Sequence, residues 1–315
     1  MPRRVRWLAN TIHRAVVSIL GVHILVAGLG GLPLQAAASA KGLSGPITKA
    51  ESVAQSHAAP QSTPPAPVAG GAAASSPTGS STAKTAQQWM AEGRRAQKAG
   101  NQVEAVTDFL NAQRLEPTSP EPLYSLGMSF FIIGWYENES SYYDRAARHF
   151  KSALDLDPKY TRAEFMVGMM EVVHFRLKEA EPHFQKAIAL DPQNPYYHLH
   201  YGILLSRMEK HDDAVAQMLL AEKLDPTYPQ SFLSLGQLYF QMRKYPEART
   251  QLERAVHLDP SLAAAQYTLG GVYHHLGMNT ESKSAYETFQ RLKATQPRSD
   301  PVDKALQGGS GTDSK

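Results

Sequence analysis

One phrase recurs five times along the chain: Leu115-Glu116-Pro117, Leu156-Asp157-Pro158, Leu190-Asp191-Pro192, Leu224-Asp225-Pro226 and Leu258-Asp259-Pro260. Its prolines stand 41, then 34, 34 and 34 residues apart. Proline brings no N–H to a helix and its ring collides with the carbonyl four residues back. Each phrase therefore reads as a helix stop, in which the leucine packs and the acid and proline leave the helix. Stops at a fixed interval predict a stacked array of short helical units, each burying its apolar face against the next, rather than one mixed core.

Six units fit the interval without a gap: 86–119, 120–160, 161–194, 195–228, 229–262 and 263–296. Aligned on their prolines, all carry glycine at the eighth place: Gly93, Gly127, Gly168, Gly202, Gly236 and Gly270. The twentieth place is small (Ala105, Ala146, Ala180, Ala214, Ala248, Ser282) and the twenty-fourth large and apolar (Phe109, Phe150, Phe184, Met218, Leu252, Tyr286). The twenty-seventh is alanine (Ala112, Ala153, Ala187, Ala221, Ala255) until Phe289 in the last unit. Small residues let helix axes approach closely, and the large ones fill the space between helices. An acid precedes the small residue in five units (Glu104, Glu179, Asp213, Glu247, Glu281). There, in the first turn of the second helix, a carboxylate complements the helix dipole.

These units resemble the tetratricopeptide repeat, whose pattern runs W-x2-L-G-x2-Y, then A-x3-F, then P. The first unit carries Trp89, Gly93, Ala105, Phe109 and Pro117, and the fifth carries Leu235, Gly236, Tyr239, Ala248 and Pro260. The resemblance covers about two thirds of the chain. It implies an all-α fold, a right-handed α-α superhelix (α-solenoid) of six helix-turn-helix repeats, and it assigns the signature residues to packing.

Two units break step. In the second, 19 residues separate Gly127 from Ala146 where the other units have 12, so seven extra residues enter the turn between the helices. Seven is about two helical turns, so the first helix can lengthen without changing its facing. The aromatic-rich stretch 134–143 then either projects as a flap or packs locally. Asn138-Glu139-Ser140 within it matches a glycosylation sequon, a pattern short enough to arise by chance. The sixth unit lacks the closing proline. Its second helix is apolar at Ala285, Tyr286, Phe289 and Leu292 and polar at Lys283, Glu287, Gln290, Arg291 and Lys293, the pattern of a cap on the array.

The flanks have a different composition. Residues 1–40 hold four arginines (Arg3, Arg4, Arg6, Arg14) and no acid, and no charge interrupts Ala15–Leu34. A basic start, an apolar run and the small residues Ala36 to Ala40 match an export signal cleaved after Ala38 or Ala40. The alternative is an uncleaved anchor, since the run is about long enough to span a bilayer. Either places the rest of the chain outside the cytoplasm, in the periplasm or secreted, with the membrane involved only through this segment. Residues 41–85, rich in Ala, Ser, Pro and Gly, read as a disordered linker, and 297–315 as a disordered tail. Without the N-terminal arginines the chain holds 28 basic and 29 acidic residues, which gives no support to nucleic-acid binding. The chain has no cysteine, which excludes disulfides, thiolate metal sites and a cysteine nucleophile.

Function is sought in the groove that the resemblance implies. In the family the first helices line a concave face through places 2, 5, 9, 12 and 13. Carried over, the second repeat contributes Tyr124, Met128, Phe131 and Ile132, and the third Arg162, Phe165, Met169, Val172 and Val173. The fourth contributes Tyr196, Leu199, Ile203 and Arg207, the fifth Leu233, Gln237 and Phe240, and the sixth Tyr267, His274 and His275. Methionine and aromatic side chains with few charges suit an apolar peptide or amphipathic helix. The same positions can instead be core. The family's carboxylate clamp needs Lys and Asn where this chain has Met90, Arg94, Tyr124 and Met128, so that mode of recognition is not expected. His198 and His200, two apart, and the adjacent His274 and His275 do not converge on a helix. No nucleophile elbow, zincin motif or phosphate loop occurs. The expectation is an exported, non-enzymatic protein- or peptide-binding module without cofactor or metal. Its alternative is an envelope scaffold acting through the convex face or the second-repeat insertion.

Overall fold

The computed structural model describes residues 84–295. The expected leader or anchor, nearly all of the linker and the C-terminal tail lie outside them. The described residues form twelve α-helices and no strand. They are α1 Ala86–Lys98, α2 Gln102–Leu115, α3 Pro120–Glu137, α4 Ser140–Leu156, α5 Thr161–Val173 and α6 Leu177–Leu190, followed by α7 Pro195–Arg207, α8 His211–Leu224, α9 Pro229–Gln241, α10 Tyr245–Leu258, α11 Ala263–His275 and α12 Asn279–Thr295. Two helices fall to each 34-residue interval, as the repeat pattern predicts. The array opens on a capping box: Thr85 Oγ1 accepts the Gln88 N–H at 3.2 Å, and Gln88 Oε1 accepts the Thr85 N–H at 2.8 Å.

The stop phrase works differently from its simplest reading. Asp157, Asp225 and Asp259 follow α4, α8 and α10. Each carboxylate accepts the backbone N–H two residues on, from Lys159 at 3.0 Å, Thr227 at 2.9 Å and Ser261 at 2.9 Å. This is an Asx turn, so the acid shapes the chain's exit across the proline. The leucine of the phrase does not pack uniformly. Leu115, Leu156 and Leu190 are exposed at 54%, 41% and 36%. They end α2, α4 and α6, beyond the buried alanines Ala112, Ala153 and Ala187 that make the last close contacts.

Within a pair, the eighth-place glycine receives the twenty-fourth-place side chain. A Cβ built on Gly127 would lie 2.5 Å from Phe150, one on Gly93 2.5 Å from Phe109, and one on Gly236 2.6 Å from Leu252. The serine that replaces alanine in the last repeat is also accommodated, because Ser282 Oγ donates to the Gly270 carbonyl at 2.8 Å. A second regularity lies at the turn inside each pair. Gly100, Asn138, Phe175, Glu209, Arg243 and Gly277 all have left-handed φ, between 53° and 81°. Only two of the six are glycine.

The chain divides within α6 into two compact units, one reaching His183 and the other beginning at Phe184. Pro182, just before that division, lies inside the helix, where it removes one rung of the hydrogen-bond ladder. In the first unit the extra residues of the second repeat become helix. α3 has 18 residues and α4 has 17, against 13 and 14 in the first repeat. The stretch 134–143 is no flap. Tyr142 and Tyr143 are 3% and 1% exposed, Phe131 meets Tyr143 at 5.8 Å, and Phe130 stacks on His149 at 5.2 Å. Asn138 ends α3 in the left-handed conformation. In the second unit, α7 to α12 form three antiparallel pairs packed in sequence, and α12 closes the end. Ala285 is buried there, while Phe289 and Leu292 are half-buried and Tyr286 is 37% exposed.

Candidate partner-binding faces

The first-helix side of the first unit is apolar and closed. Met128 and Phe131 of α3 are 3% and 0% exposed, and Phe165 and Met169 of α5 are 3% and 1%. Expected to line an open groove, these four are packed instead. α3 carries an unbroken apolar run, Phe130 to Ile133, and is buried throughout 125–134, and α5 is buried from Ala163 to Val173, so neither helix keeps a wet side along those stretches. Their buried polar groups are tied to neighbours. Ser129 accepts from Gln97 of α1 at 3.1 Å, Glu164 meets His183 at 2.6 Å, and Glu171 is held by Arg176 and by Lys151 at 3.5 Å. Burial alone would raise the Glu171 carboxyl, but the Arg176 hydrogen bond and the two cations outweigh it and hold it below the usual range.

At the start of the same helices the surface is polar and braced. Arg162, exposed, donates to Glu121 at 2.7 Å and lies 4.8 Å over the half-buried Tyr124 ring. Glu121 also accepts from the Tyr160 hydroxyl, and burial together with that bond pushes the phenol's pKa up. At the places where a carboxylate clamp would sit, Met90 is buried and Arg94 lies 3.8 Å from Glu121.

The corresponding side of the second unit is partly open. Leu199 and Leu233 are buried, whereas Tyr196, Ile203, Arg207, Gln237 and Phe240 are half-buried and Tyr267 is 57% exposed. Phe240 reaches from α9 to α11 and lies 3.1 Å from where a Cβ on Gly271 would be. It sits 5.9 Å from His275, which stacks on Tyr245 at 4.4 Å. Tyr267 packs 5.1 Å from Phe289 and 5.9 Å from Tyr286. Burial lowers the pKa of Arg207, whose buried Nη1 has no hydrogen-bond partner among the described residues. Burial also pushes His200, 4.2 Å from the Tyr196 ring, down to about 3, so it is neutral. Tyr245 and Gly271 were not among the expected groove residues. The available signal was Gly271 itself, a second glycine directly after the repeat's own.

His198 is occupied by Gln217 at 2.8 Å and the Pro192 carbonyl at 3.0 Å. No cluster of three His, Asp or Glu among the described residues is placed to hold an ion. No helix among them is long and apolar enough to cross a membrane.

A tetratricopeptide repeat model matches residues 134–195 and 233–299, and a second model of the same repeat matches 183–216. This chain is a tetratricopeptide repeat protein. No curated protein matches it. Among solved structures it is similar to a chain of the APC/C hetero-tetramer Cut9-Hcn1, with a TM-score of 0.59 and 16% identity over 71% of this chain and 42% of that one. It is also similar to PilF of Pseudomonas aeruginosa (TM-score 0.50, 20% identity, 56% of this chain and 77% of that one). A third is TTC0263, a thermophilic TPR protein of Thermus thermophilus (TM-score 0.50, 21% identity, 60% and 98%). At these identities the likeness shows the all-α solenoid fold. The tetratricopeptide repeat chain spans 42% of the length of the first of these. Such proteins generally bind proteins or peptides and are generally non-enzymatic scaffolds.

Proposed function

We propose that this tetratricopeptide repeat protein is an exported, non-enzymatic binding module that takes an apolar peptide or amphipathic helix on the first-helix face of its second unit. The observation that carries the reading is the partly exposed set Ile203, Phe240 and Tyr267 on α7, α9 and α11, apolar and aromatic groups on a face that is not closed by packing. Burying such groups against a partner's apolar side is favourable by about 25 cal/mol per Å². Arg207, a desolvated cation, suits a carboxylate on the partner's polar side. The scaffold alternative draws less support, because the second-repeat insertion leaves only Glu139, Ser140 and Ser141 exposed. Export rests on the N-terminal basic and apolar pattern.

The test is crosslinking capture from the native envelope fraction with the parent chain and with Ile203→Glu/Phe240→Glu, whose fold is checked by circular dichroism. The captured partner should be lost with the variant. An unchanged set of captured proteins from a folded variant would refute this face. N-terminal sequencing of the recovered chain tests export, since a start at Ser39 or Lys41 reports cleavage.

A further inference from the structure

The second helix of the fourth repeat differs from its counterparts in what it shows to solvent. Asp212, Ala216, Leu219 and Lys223 of α8 are all exposed, Leu219 at 44%. At about 100° and 1.5 Å per residue the four fall within about 60° of arc, so they form one row about 16 Å long. Val215 and Leu220, half-buried, border Leu219 and Ala216 at i+4 spacing and make the middle of the row a continuous apolar patch. The other exposed leucines among the described residues, Leu115, Leu156 and Leu190, are the last residues of α2, α4 and α6, whereas Leu219 stands in mid-helix. Its place in the repeat, the twenty-fifth, holds the buried Leu110 in the first unit and a polar residue in the others: Lys151, Gln185, Glu253 and Glu287. Among the described residues neither Asp212 nor Lys223 has an ion-pair partner.

The order along the row is acid, small, large, base, and that order decides what it fits. A two-fold contact uses the same patch on both copies, so residue i must suit residue j and j must suit i. We propose that this face of α8 pairs with the same face of a second copy of the chain, antiparallel, about a two-fold axis level with Gln217 and Met218. Asp212 of each copy then lies opposite Lys223 of the other, twice over. Each Leu219 lies opposite the Ala216 of the other copy, and the small residue leaves room for the leucine at a helix spacing of about 8–10 Å. A parallel pairing is disfavoured, because it sets Asp212 against Asp212 and Lys223 against Lys223. The contact is one helix from each copy, at the low end of specific interfaces, below about 1,200 Å² in total, so the dimer is weak and reversible. It uses none of Ile203, Phe240 and Tyr267, so it stands or falls apart from the partner-binding reading.

Sedimentation equilibrium of the full-length chain, carried to concentrations on the order of 1 mM to suit a contact of this size, should show a reversible monomer–dimer equilibrium. Leu219→Asp should weaken the dimer by about tenfold or more, since each copy then loses an apolar group from the centre and gains a desolvated charge. Asp212→Lys should weaken it by about threefold, and Asp212→Lys/Lys223→Asp, which exchanges the charges in both copies, should return it to within about twofold of the parent. Both charge changes lie on exposed residues, so they decide the question even if Leu219→Asp folds poorly. A parent chain that stays monomeric would overturn the proposal. So would a folded Leu219→Asp that associates as the parent does, or a double exchange that associates no better than Asp212→Lys alone.

Discussion

Gly127→Ala tests the packing rule that builds the array. The added Cβ would lie 2.5, 2.7 and 2.9 Å from three ring atoms of Phe150, where 3.4–4 Å is ordinary contact, so the ring must retreat by about 1 Å. It has little room to do so, being fully buried with the Tyr124 ring 5.6 Å from it. Overpacking of this kind costs about 1–3 kcal/mol, while alanine recovers about 1 kcal/mol of helix propensity. The net expectation is a loss of up to about 2 kcal/mol. Gly202→Ala is the matched companion. Its Cβ would lie 2.8 Å from Met218 Cγ, near the root of that side chain, and 3.1 Å from the Ala214 carbonyl, which cannot swing aside, so a loss of similar size is expected. Urea unfolding followed by circular dichroism gives both values. Amide exchange in α3 and α4 gives a local one, because repeat arrays need not unfold as a single unit. Adding Phe150→Leu to Gly127→Ala should return at least about 1 kcal/mol relative to the sum of the single changes. A stabilising Gly127→Ala, or no coupling to residue 150, would refute the rule.

Two further outcomes are expected. Phe175→Gly should stabilise the protein by about 0.5–1 kcal/mol in the same assay, since Phe175 holds φ at 62° while 52% exposed and so gives up little packing; equal or lower stability would contradict a strained turn. Burial raises Glu222 to about 7, and its Oε1 is buried without a hydrogen-bond partner among the described residues, so the folded state keeps this proton to higher pH than the unfolded chain does. Its carboxylate therefore costs stability progressively between about pH 4.5 and 7 and fully above. Glu222→Gln should gain about 1–2 kcal/mol over the parent at pH 8, after allowance for partial solvent screening, and little at pH 4.5; a gain that does not change with pH would sink the assignment.

What could be read in the sequence follows from what repeats. Gly127 and Phe150 are legible because all six copies carry a glycine and a large apolar residue at matching places, 16 residues apart in five units and 23 in the second, and one packing rule explains the pairing. The left-handed turn is hidden because backbone conformation is shared while the residue is not: Phe175, Glu209 and Arg243 adopt it as Gly100 and Gly277 do, the surrounding helices setting the bend. The role of the acid in the stop phrase escapes for a related reason, since the hydrogen bond common to Asp157, Asp225 and Asp259 is accepted from the main chain two residues on, and only Thr227 and Ser261 add a side-chain hydroxyl to it. The groove is the harder case. The family's places give one side for every repeat, but whether that side is open depends on what each helix carries elsewhere. Beyond the exposed Arg162 in its first turn, α5 has no polar residue left for solvent after Glu164 and Glu171 are taken by His183, Arg176 and Lys151, so Met169 lies in packing. α9 keeps Gln237 and leaves Phe240 half-open at the same level of the repeat. Equivalent places thus serve as core in one unit and as surface in the other, and the difference is set by the non-signature residues around them.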